Sequence, residues 1–170
     1  ESFGEHTTLS NMVKGYMSEG KLMRDEVVDA LLESILRKAD YQQGVLFDGF
    51  PRTRYQANFL DQLLDDSGHE LDAVIYLNVS DEEVKRRLPG RVICRRCHTP
   101  YHRVHNPFTI CHRCGSKQFY RRTDDNPETV QAGLRVFHRE TAPLLKFYQE
   151  KGKLFIVNGE GTIDQVYQAM

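Results

Sequence analysis

The chain has 170 residues, which is the size of a single domain. Hydrophobic residues make up 39% and charged residues 28% of it, and the net charge is −1, an ordinary balance for a soluble globular protein. It contains no apolar run of the ~18 residues that span a membrane and does not open on a signal-peptide pattern, so we expect neither a membrane segment nor export.

Apolar residues at helical spacing alternate along the chain with short continuous apolar runs. The helical spacing predicts helices over 8–18, 25–38, 53–65, 80–88 and 127–150, and a last helix from Thr162. The continuous runs, typical of strands buried on both faces of a parallel sheet, cover 44–47, 73–79 and 153–159. This alternation predicts an α/β fold.

Three local patterns predict where the helices begin and bend. Ser80 with Glu83 forms a capping-box pattern. Asn126 before Pro127 is typical of a helix cap followed by proline at the first helical position. Pro143 is expected to kink the long helix over 127–150.

Positive charge is concentrated in one segment. Residues 85–122 contain eleven Lys and Arg, four of the seven His, and no Asp or Glu, whereas the rest of the chain carries 12 basic and 24 acidic residues. Such asymmetry predicts a site for a polyanion in this segment. The alternatives are a basic surface that is simply solvated and a basic zinc ribbon that binds nucleic acid.

Within this segment, residues 90–122 interrupt the alternation of helices and strands, which predicts a small inserted subdomain. They hold all the cysteines, in two Cys-x-x-Cys pairs: Cys94, Cys97, Cys111 and Cys114. This spacing predicts a closed, structural zinc site with four thiolate ligands. Two disulfides or a redox function are the alternatives, and His98 and His112 could compete as ligands.

A candidate ligand site follows the apolar run 44–47, at Asp48-Gly49-Phe50-Pro51-Arg52-Thr53. In α/β folds, ligands bind beyond the carboxyl ends of the strands. Gly49 allows close backbone approach, Asp48 could hold Mg²⁺ through water, and Arg52 could clamp a phosphate. A purely structural turn is the alternative.

The stretch Asp48 to Thr53, with Gln56, strongly resembles the nucleoside-monophosphate site of adenylate kinases. Four further segments resemble that family in the same order, and together they cover essentially the whole chain: Gly20-Lys21-Leu22-Met23, Gly90-Arg91 with the cysteine pairs, Arg122-Thr123-Asp124-Asp125, and Thr141-Ala142-Pro143-Leu144. The resemblance implies a P-loop-kinase-like parallel sheet flanked by helices, with an inserted zinc-binding LID. It divides the chain into a helical NMP-binding region (1–39), two parts of the CORE (40–89 and 123–170) and the LID (90–122).

By this resemblance the reaction is MgATP + AMP = 2 ADP, which serves purine nucleotide homeostasis. The AMP-binding residues are expected to be Lys21, Leu22, Met23, Gly49, Phe50, Pro51, Arg52, Gln56 and Arg122. The catalytic residues are expected to be Arg87, Arg91, Arg122 and Asp48, with the arginines closing over the transferred phosphoryl group. The ATP-binding residues are expected to be Arg91, Pro100, Tyr101 and Gly161, although Tyr101 could instead be LID core.

The same resemblance implies structural Zn²⁺, Mg²⁺ bound with ATP, and a monomeric cytoplasmic protein with no nucleic-acid or membrane partner. The sequence departs from the family in two places. It contains no Gly-x-x-x-x-Gly-Lys-[Ser/Thr] loop, so we expect the first and central strand to be absent and the 170 residues alone to form no measurable ADP. Gly133 stands where the family has an arginine, and a catalytically degenerate homologue with a structural or nucleotide-binding role is the alternative.

Overall fold

The structure is a computed structural model that describes residues 22, 24–36, 44–103 and 108–170. The predicted helix over 8–18 lies outside these residues. In chain order the helices and strands are α1 (Asp25–Leu36), α2 (Arg54–Asp66), β1 (Val74–Asn78), α3 (Asp81–Arg87), β2 (Arg91–Cys94), β3 (Pro100–His102), β4 (Phe119–Tyr120), α4 (Pro127–Val136), α5 (Pro143–Glu150), β5 (Leu154–Asn158) and α6 (Ile163–Ala169).

The described residues form two compact units, which are considered separately. One contains residues 79–134, and the other contains 22–78 together with 135–170. The predicted LID, 90–122, lies wholly within the first unit. The bounds of the four segments expected from the resemblance stay predictions.

The unit formed by 22–78 and 135–170, here called the discontinuous unit, is built on a parallel pair of strands with helices packed against it. β1 pairs with β5 in register from Val74 opposite Leu154 to Asn78 opposite Asn158. Its core comprises Ala57 of α2 and three residues of α5, with partly buried side chains from the sheet and the preceding loop packed on them: Leu144, Phe147 and Tyr148, then Leu71, Val74 and Leu154. The predicted α/β fold with a parallel sheet flanked by helices is confirmed.

Two predictions about the strands are wrong. The apolar run 44–47 forms no strand, and Leu46 is 91% exposed. A strand needs a ladder partner, and within the described part of the chain β1 pairs with β5 alone. Nor are β1 and β5 buried on both faces, because Ile75 and Phe155, a register pair, are 43% and 57% exposed.

The unit that contains 79–134, here called the continuous unit, contains an antiparallel sheet in the order β3-β2-β4. Its buried centre consists of Val92, Cys94, Tyr101 and Cys111, and Phe108, Phe119 and the other two cysteines pack around it. Half of this core is therefore made of thiols. Such a core has little apolar volume of its own, so we expect its stability to depend on a bound group.

Of the predicted helix starts, the cap at Asn126 is confirmed, and the last helix begins after Thr162 as expected. Asn126 Oδ1 accepts from the Thr129 N–H at 2.8 Å, which caps α4, and Thr162 forms a capping box with Gln165 at α6. A π-helical turn, Phe137–Thr141, interrupts the predicted long helix directly before Pro143, and the kink expected there stays a prediction.

The predicted capping box at Ser80 is wrong. The Ser80 side chain makes no capping hydrogen bond, and the Glu83 carboxylate accepts instead from Arg86 and Arg87. None of the helices that the structure describes is long and apolar enough to cross a membrane.

Candidate functional site

The four cysteine side chains converge on one point. The Sγ atoms of Cys94 and Cys114 lie 3.6 Å apart, those of Cys97 and Cys111 lie 3.4 Å apart, and all four lie within 4.8 Å of one another. A tetrahedral zinc site with four thiolates has sulfurs about 3.8 Å apart, whereas a disulfide needs about 2.05 Å. The arrangement therefore fits one metal ion, and all four cysteines are free thiols.

Each Cys-x-x-Cys pair sits in a tight turn of the same design. In the first, the His98 N–H donates to the Cys94 carbonyl at 3.0 Å, and in the second, the Gly115 N–H donates to the Cys111 carbonyl at 2.8 Å. The fifth residue of each turn has a positive φ, 58° at His98 and 70° at Gly115. Because the two turns match, each one aims its pair of sulfurs inward. Neither His98 nor His112, both exposed, belongs to the cluster.

Two hydroxyl groups hydrogen-bond to cysteine sulfurs. Thr99 Oγ1 lies 3.1 Å from Cys97 Sγ, and the Tyr101 hydroxyl donates to Cys111 Sγ at 3.3 Å. The Thr99 contact holds the pKa of Cys97 below its ordinary value. The Tyr101 hydrogen bond lowers the pKa of the Cys111 thiol to about 6. Both contacts favour the thiolate, which is the form that binds a metal.

The loop 48–53 carries the residues predicted to bind a nucleoside monophosphate. Gly49 has φ 70°, and Arg52 Nε donates to its carbonyl at 2.6 Å. This loop requires glycine at position 49 for its backbone conformation, and a Cβ there, 2.6 Å from Arg52 Nη2, would also displace the Arg52 guanidinium. The Thr141 hydroxyl donates to the Arg52 carbonyl at 2.8 Å. The Thr141 hydroxyl thus holds the backbone of Arg52, and the Gly49 carbonyl orients its guanidinium, which stays exposed.

Gln56, in the first turn of α2, is held at both ends of its amide. Its Oε1 accepts from the Arg52 N–H at 2.8 Å, and its Nε2 donates to Asp25 Oδ1 at 2.8 Å. Gln56 is 3% exposed, and Thr53 caps the helix that carries it. These contacts fix the amide orientation, because a carboxylate can only accept and a backbone N–H can only donate.

Each of the three arginines expected to act on phosphate is paired with a nearby carboxylate within the continuous unit. Arg91 forms two hydrogen bonds with Asp125, at 2.6 and 2.9 Å, and Arg122 forms two with Asp124, at 2.6 and 2.9 Å. Arg87 pairs with Glu83. The hydrogen bond from Arg122 keeps the pKa of Asp124 below its ordinary value. Such bidentate pairs hold the guanidinium planes in defined orientations.

The other predicted site residues lie as follows. Asp48 is exposed in the bend after 44–47, and the half-buried Phe50 precedes Pro51 through a cis peptide. Leu22 is half-buried, and Lys21 and Met23 lie outside the described residues. Pro100 is exposed at the start of β3, Gly161 precedes the cap of α6, and Tyr101 is 6% exposed within the cysteine cluster. Their roles in binding nucleotide stay predictions.

Sequence reasoning missed the residues that support these groups. Thr99 lies two residues after Cys97, a spacing at which a hydroxyl can reach the sulfur, so the sequence held a signal for it. Asp25 is 31 residues from Gln56, and no local pattern links the two. Only the packing of α1 against α2 brings them together.

Comparison with known proteins matches this arrangement to one family. The family model described as adenylate kinase matches residues 1–153. A protein of Limosilactobacillus fermentum named adenylate kinase is 42% identical over 167 residues, covering 96% of this chain and 77% of its own length. The chain belongs to the adenylate kinase family.

Further adenylate kinases give the same result. The adenylate kinase of Listeria monocytogenes serotype 4a is 43% identical over 164 residues, which are 95% of this chain and 76% of that protein. The one from Enterococcus faecalis is 41% identical over the same number of residues. The predicted family membership is therefore confirmed. The four-cysteine cluster gives this adenylate kinase family member a site for one metal ion.

Proposed function

We propose that this protein is an adenylate kinase, which transfers a phosphoryl group reversibly from MgATP to AMP and yields two ADP. An oxygen of the AMP phosphate attacks the γ-phosphorus of ATP, the bond from that phosphorus to the β–γ bridging oxygen breaks, and the leaving group is ADP. The observation that carries the proposal is the match of the adenylate kinase family over 1–153, which includes the loop around Arg52 and the cysteine cluster.

The AMP half of the reaction is assigned to the loop 48–53 and to Gln56. The exposed Arg52 guanidinium, oriented by the Gly49 carbonyl on a backbone held by the Thr141 hydroxyl, binds the AMP phosphate. The Gln56 amide recognises the adenine edge. Phosphoryl transfer depends mainly on positioning and charge neutralisation, and a preset arginine and amide supply the first of these.

Charge neutralisation is assigned to Arg87, Arg91 and Arg122, with Arg122 also contributing to AMP binding. Their carboxylate partners pre-orient them, which lowers the cost of ordering long side chains around a phosphate. Asp48 is assigned a water-mediated contact to Mg²⁺. Pro100, Tyr101 and Gly161, with Lys21, Leu22 and Met23, complete the proposed nucleotide contacts.

The metal at the cysteine cluster is proposed to be Zn²⁺. Four thiolates are soft ligands that suit zinc, and a set of four protein ligands leaves no open position for substrate. Bound there, zinc supplies a structural charge centre that holds the two cysteine turns together. Reduced thiols at such spacing are typical of a reducing compartment, which supports the proposed cytoplasmic location; a monomer is the proposed state.

Calorimetry with AMP tests the binding half. Arg52→Ala removes the phosphate clamp and is expected to weaken AMP binding by about 1.5–3 kcal/mol, which is roughly tenfold to a hundredfold in Kd. Arg139→Ala is the matched control, because Arg139 is 70% exposed and pairs with its neighbour Glu140. Equal AMP affinity in the wild type and Arg52→Ala would remove Arg52 from the site.

A coupled assay for ADP tests the reaction itself. Because the 170 residues contain no Gly-x-x-x-x-Gly-Lys-[Ser/Thr] loop, we expect turnover only when a segment with a strand, that loop and a helix is supplied, fused or as a fragment. Rapid ADP formation by the 170 residues alone would show that other groups hold the ATP phosphates. No ADP formation with the loop supplied would contradict the proposed activity.

A further inference from the structure

The side chain of Tyr101 joins the two cysteine turns. It lies at the centre of β3, shortly after the first pair, and its hydroxyl donates to Cys111 Sγ of the second pair at 3.3 Å. The same oxygen accepts from the His112 backbone N–H at 2.9 Å. The Tyr101 oxygen accepts a hydrogen from His112 on one side. Its own single hydrogen is therefore directed at the Cys111 sulfur.

The ring holds that hydroxyl in place. Tyr101 is 6% exposed, and its ring packs against Phe108 at 5.0 Å and Phe119 at 5.5 Å between centroids, with the edge of His112 at 5.8 Å. A tyrosine side chain has two rotatable bonds, and aromatic neighbours on several sides fix both. The donor is therefore already in place for a sulfur that binds a metal ion.

We propose that Tyr101 is a positioning residue for the metal centre: its hydroxyl sets Cys111 as a ligand and slows release of the metal. The inference rests on the proposed zinc site. Four thiolates around a divalent cation leave a net charge of −2, and a hydrogen bond to one sulfur spreads part of that charge. Partners of this kind typically change metal affinity by about 10–100-fold.

This role is separate from the contact with ATP predicted for Tyr101, because it uses the buried hydroxyl and requires no nucleotide. The test is therefore made on the full chain without nucleotide. Zinc transfer to a chromophoric chelator is followed for the wild type, Tyr101→Phe and Tyr120→Phe. Tyr120, on β4 of the same sheet, is the matched control, since phenylalanine keeps its ring contact with the Arg95 guanidinium, 5.3 Å away.

We expect Tyr101→Phe to bind one zinc per chain but to release it about 10–100-fold faster, and Tyr120→Phe to behave as the wild type. A second measurement distinguishes loss of the hydrogen bond to the Cys111 sulfur from a general loosening of the packing around Tyr101. In the Co²⁺-loaded protein, Tyr101→Phe should shift the sulfur-to-cobalt charge-transfer band, which depends on hydrogen bonding at the thiolate, and Tyr120→Phe should not.

The outcomes distinguish this inference from the zinc proposal. Unchanged release and an unchanged cobalt band in Tyr101→Phe would overturn the role of Tyr101 and leave the zinc site intact. A wild-type chain that binds no zinc would overturn both. If Tyr101→Phe does not fold, 3-fluorotyrosine at position 101 keeps the shape and strengthens the donor, and slower release supports the inference whereas unchanged release overturns it.

Discussion

The carboxylate of Asp125 is almost completely enclosed and serves one partner. Asp125 is 1% exposed, whereas the Arg91 side chain it binds is 31% exposed. When only the carboxylate of an ion pair is buried, it depends strongly on its partner, because no water molecule can take the partner's place beside it. Arg91 is therefore held by a pair that the protein cannot open without cost.

Replacing Asp125 with asparagine should accordingly destabilise the protein. The amide offers one acceptor and turns its second group, a donor, towards a guanidinium, so we expect a loss of about 2 kcal/mol in the free energy of unfolding. Asp124→Asn is the control, since Asp124 is 22% exposed and its pair should be worth less than about 1 kcal/mol. Urea denaturation measures both, and equal losses would contradict the special position of Asp125.

Single residues also show why some of the site could be predicted and some could not. The cysteines and the Gly49–Arg52 loop follow from spacing and residue type within a few positions. The fixed orientation of Gln56 depends on Asp25, and the hydroxyl on Cys111 depends on Tyr101 in another strand. Those contacts come from tertiary packing, which leaves no local pattern in the sequence.

Among the elements, helices were easier to predict than strands because their signals are local. Asn126 acts through hydrogen bonds within one turn and caps α4 as predicted, and the predicted long helix is interrupted directly before Pro143. Ser80 fails as a capping box because the arginines that follow attract Glu83 more strongly than the helix start does. The run 44–47 is apolar enough for a strand, but a strand is completed only by a partner elsewhere in the chain.

Helix α4 contains a glycine that its surroundings do not require. A Cβ at Gly133 would meet no atom within 4 Å, so Gly133→Ala should stabilise the protein by about 0.5–1 kcal/mol. Gly90→Ala is the contrasting control in the same unit, because its Cβ would lie 2.2 Å from the His102 ring and should destabilise. Thermal unfolding checks both signs, and a destabilised Gly133→Ala would show that α4 needs glycine there.

The same open space allows a larger test at this position. Gly133→Arg restores the residue that the family resemblance places there. We expect this variant to fold and to raise turnover once the missing Gly-x-x-x-x-Gly-Lys-[Ser/Thr] loop is supplied. A folded variant with unchanged turnover would mean that an arginine at this point of α4 does not reach the reacting phosphates.

On the scale of the whole molecule, the two units rely on different kinds of core. The discontinuous unit buries apolar side chains of α2 and α5, whereas the continuous unit buries Cys94 and Cys111, which are 0% and 1% exposed. Removal of the metal should therefore affect the two units unequally. The first buries apolar side chains, whereas we expect the second to be held largely by the metal–sulfur bonds of the proposed zinc site.

Treatment with a strong chelator, or replacement of Cys94 or Cys111 with serine, should remove the zinc and lower the melting temperature by about 5 °C or more. AMP binding, which is assigned mainly to the loop 48–53 and Gln56 of the other unit with Arg122 as a further contact, should be retained in part in the full chain. Metal analysis, thermal unfolding and calorimetry on the same samples test this. Disulfide-bonded cysteines without zinc would refute the metal assignment, and full loss of AMP binding on chelation would contradict the independence of the two cores.

The π-helical turn before Pro143 has an evolutionary consequence. Its defining hydrogen bond, from the Ala142 N–H to the Phe137 carbonyl at 2.8 Å, spans one residue more than an α-helical bond, as a single-residue insertion would leave it. Each residue of an α-helix turns the chain by about 100°, so deleting one residue between 137 and 140 would break this hydrogen bond and change the helical phase directly before Thr141, whose hydroxyl holds the Arg52 carbonyl. We therefore expect a homologue without the extra residue to hold the backbone of the loop 48–53 in a different way.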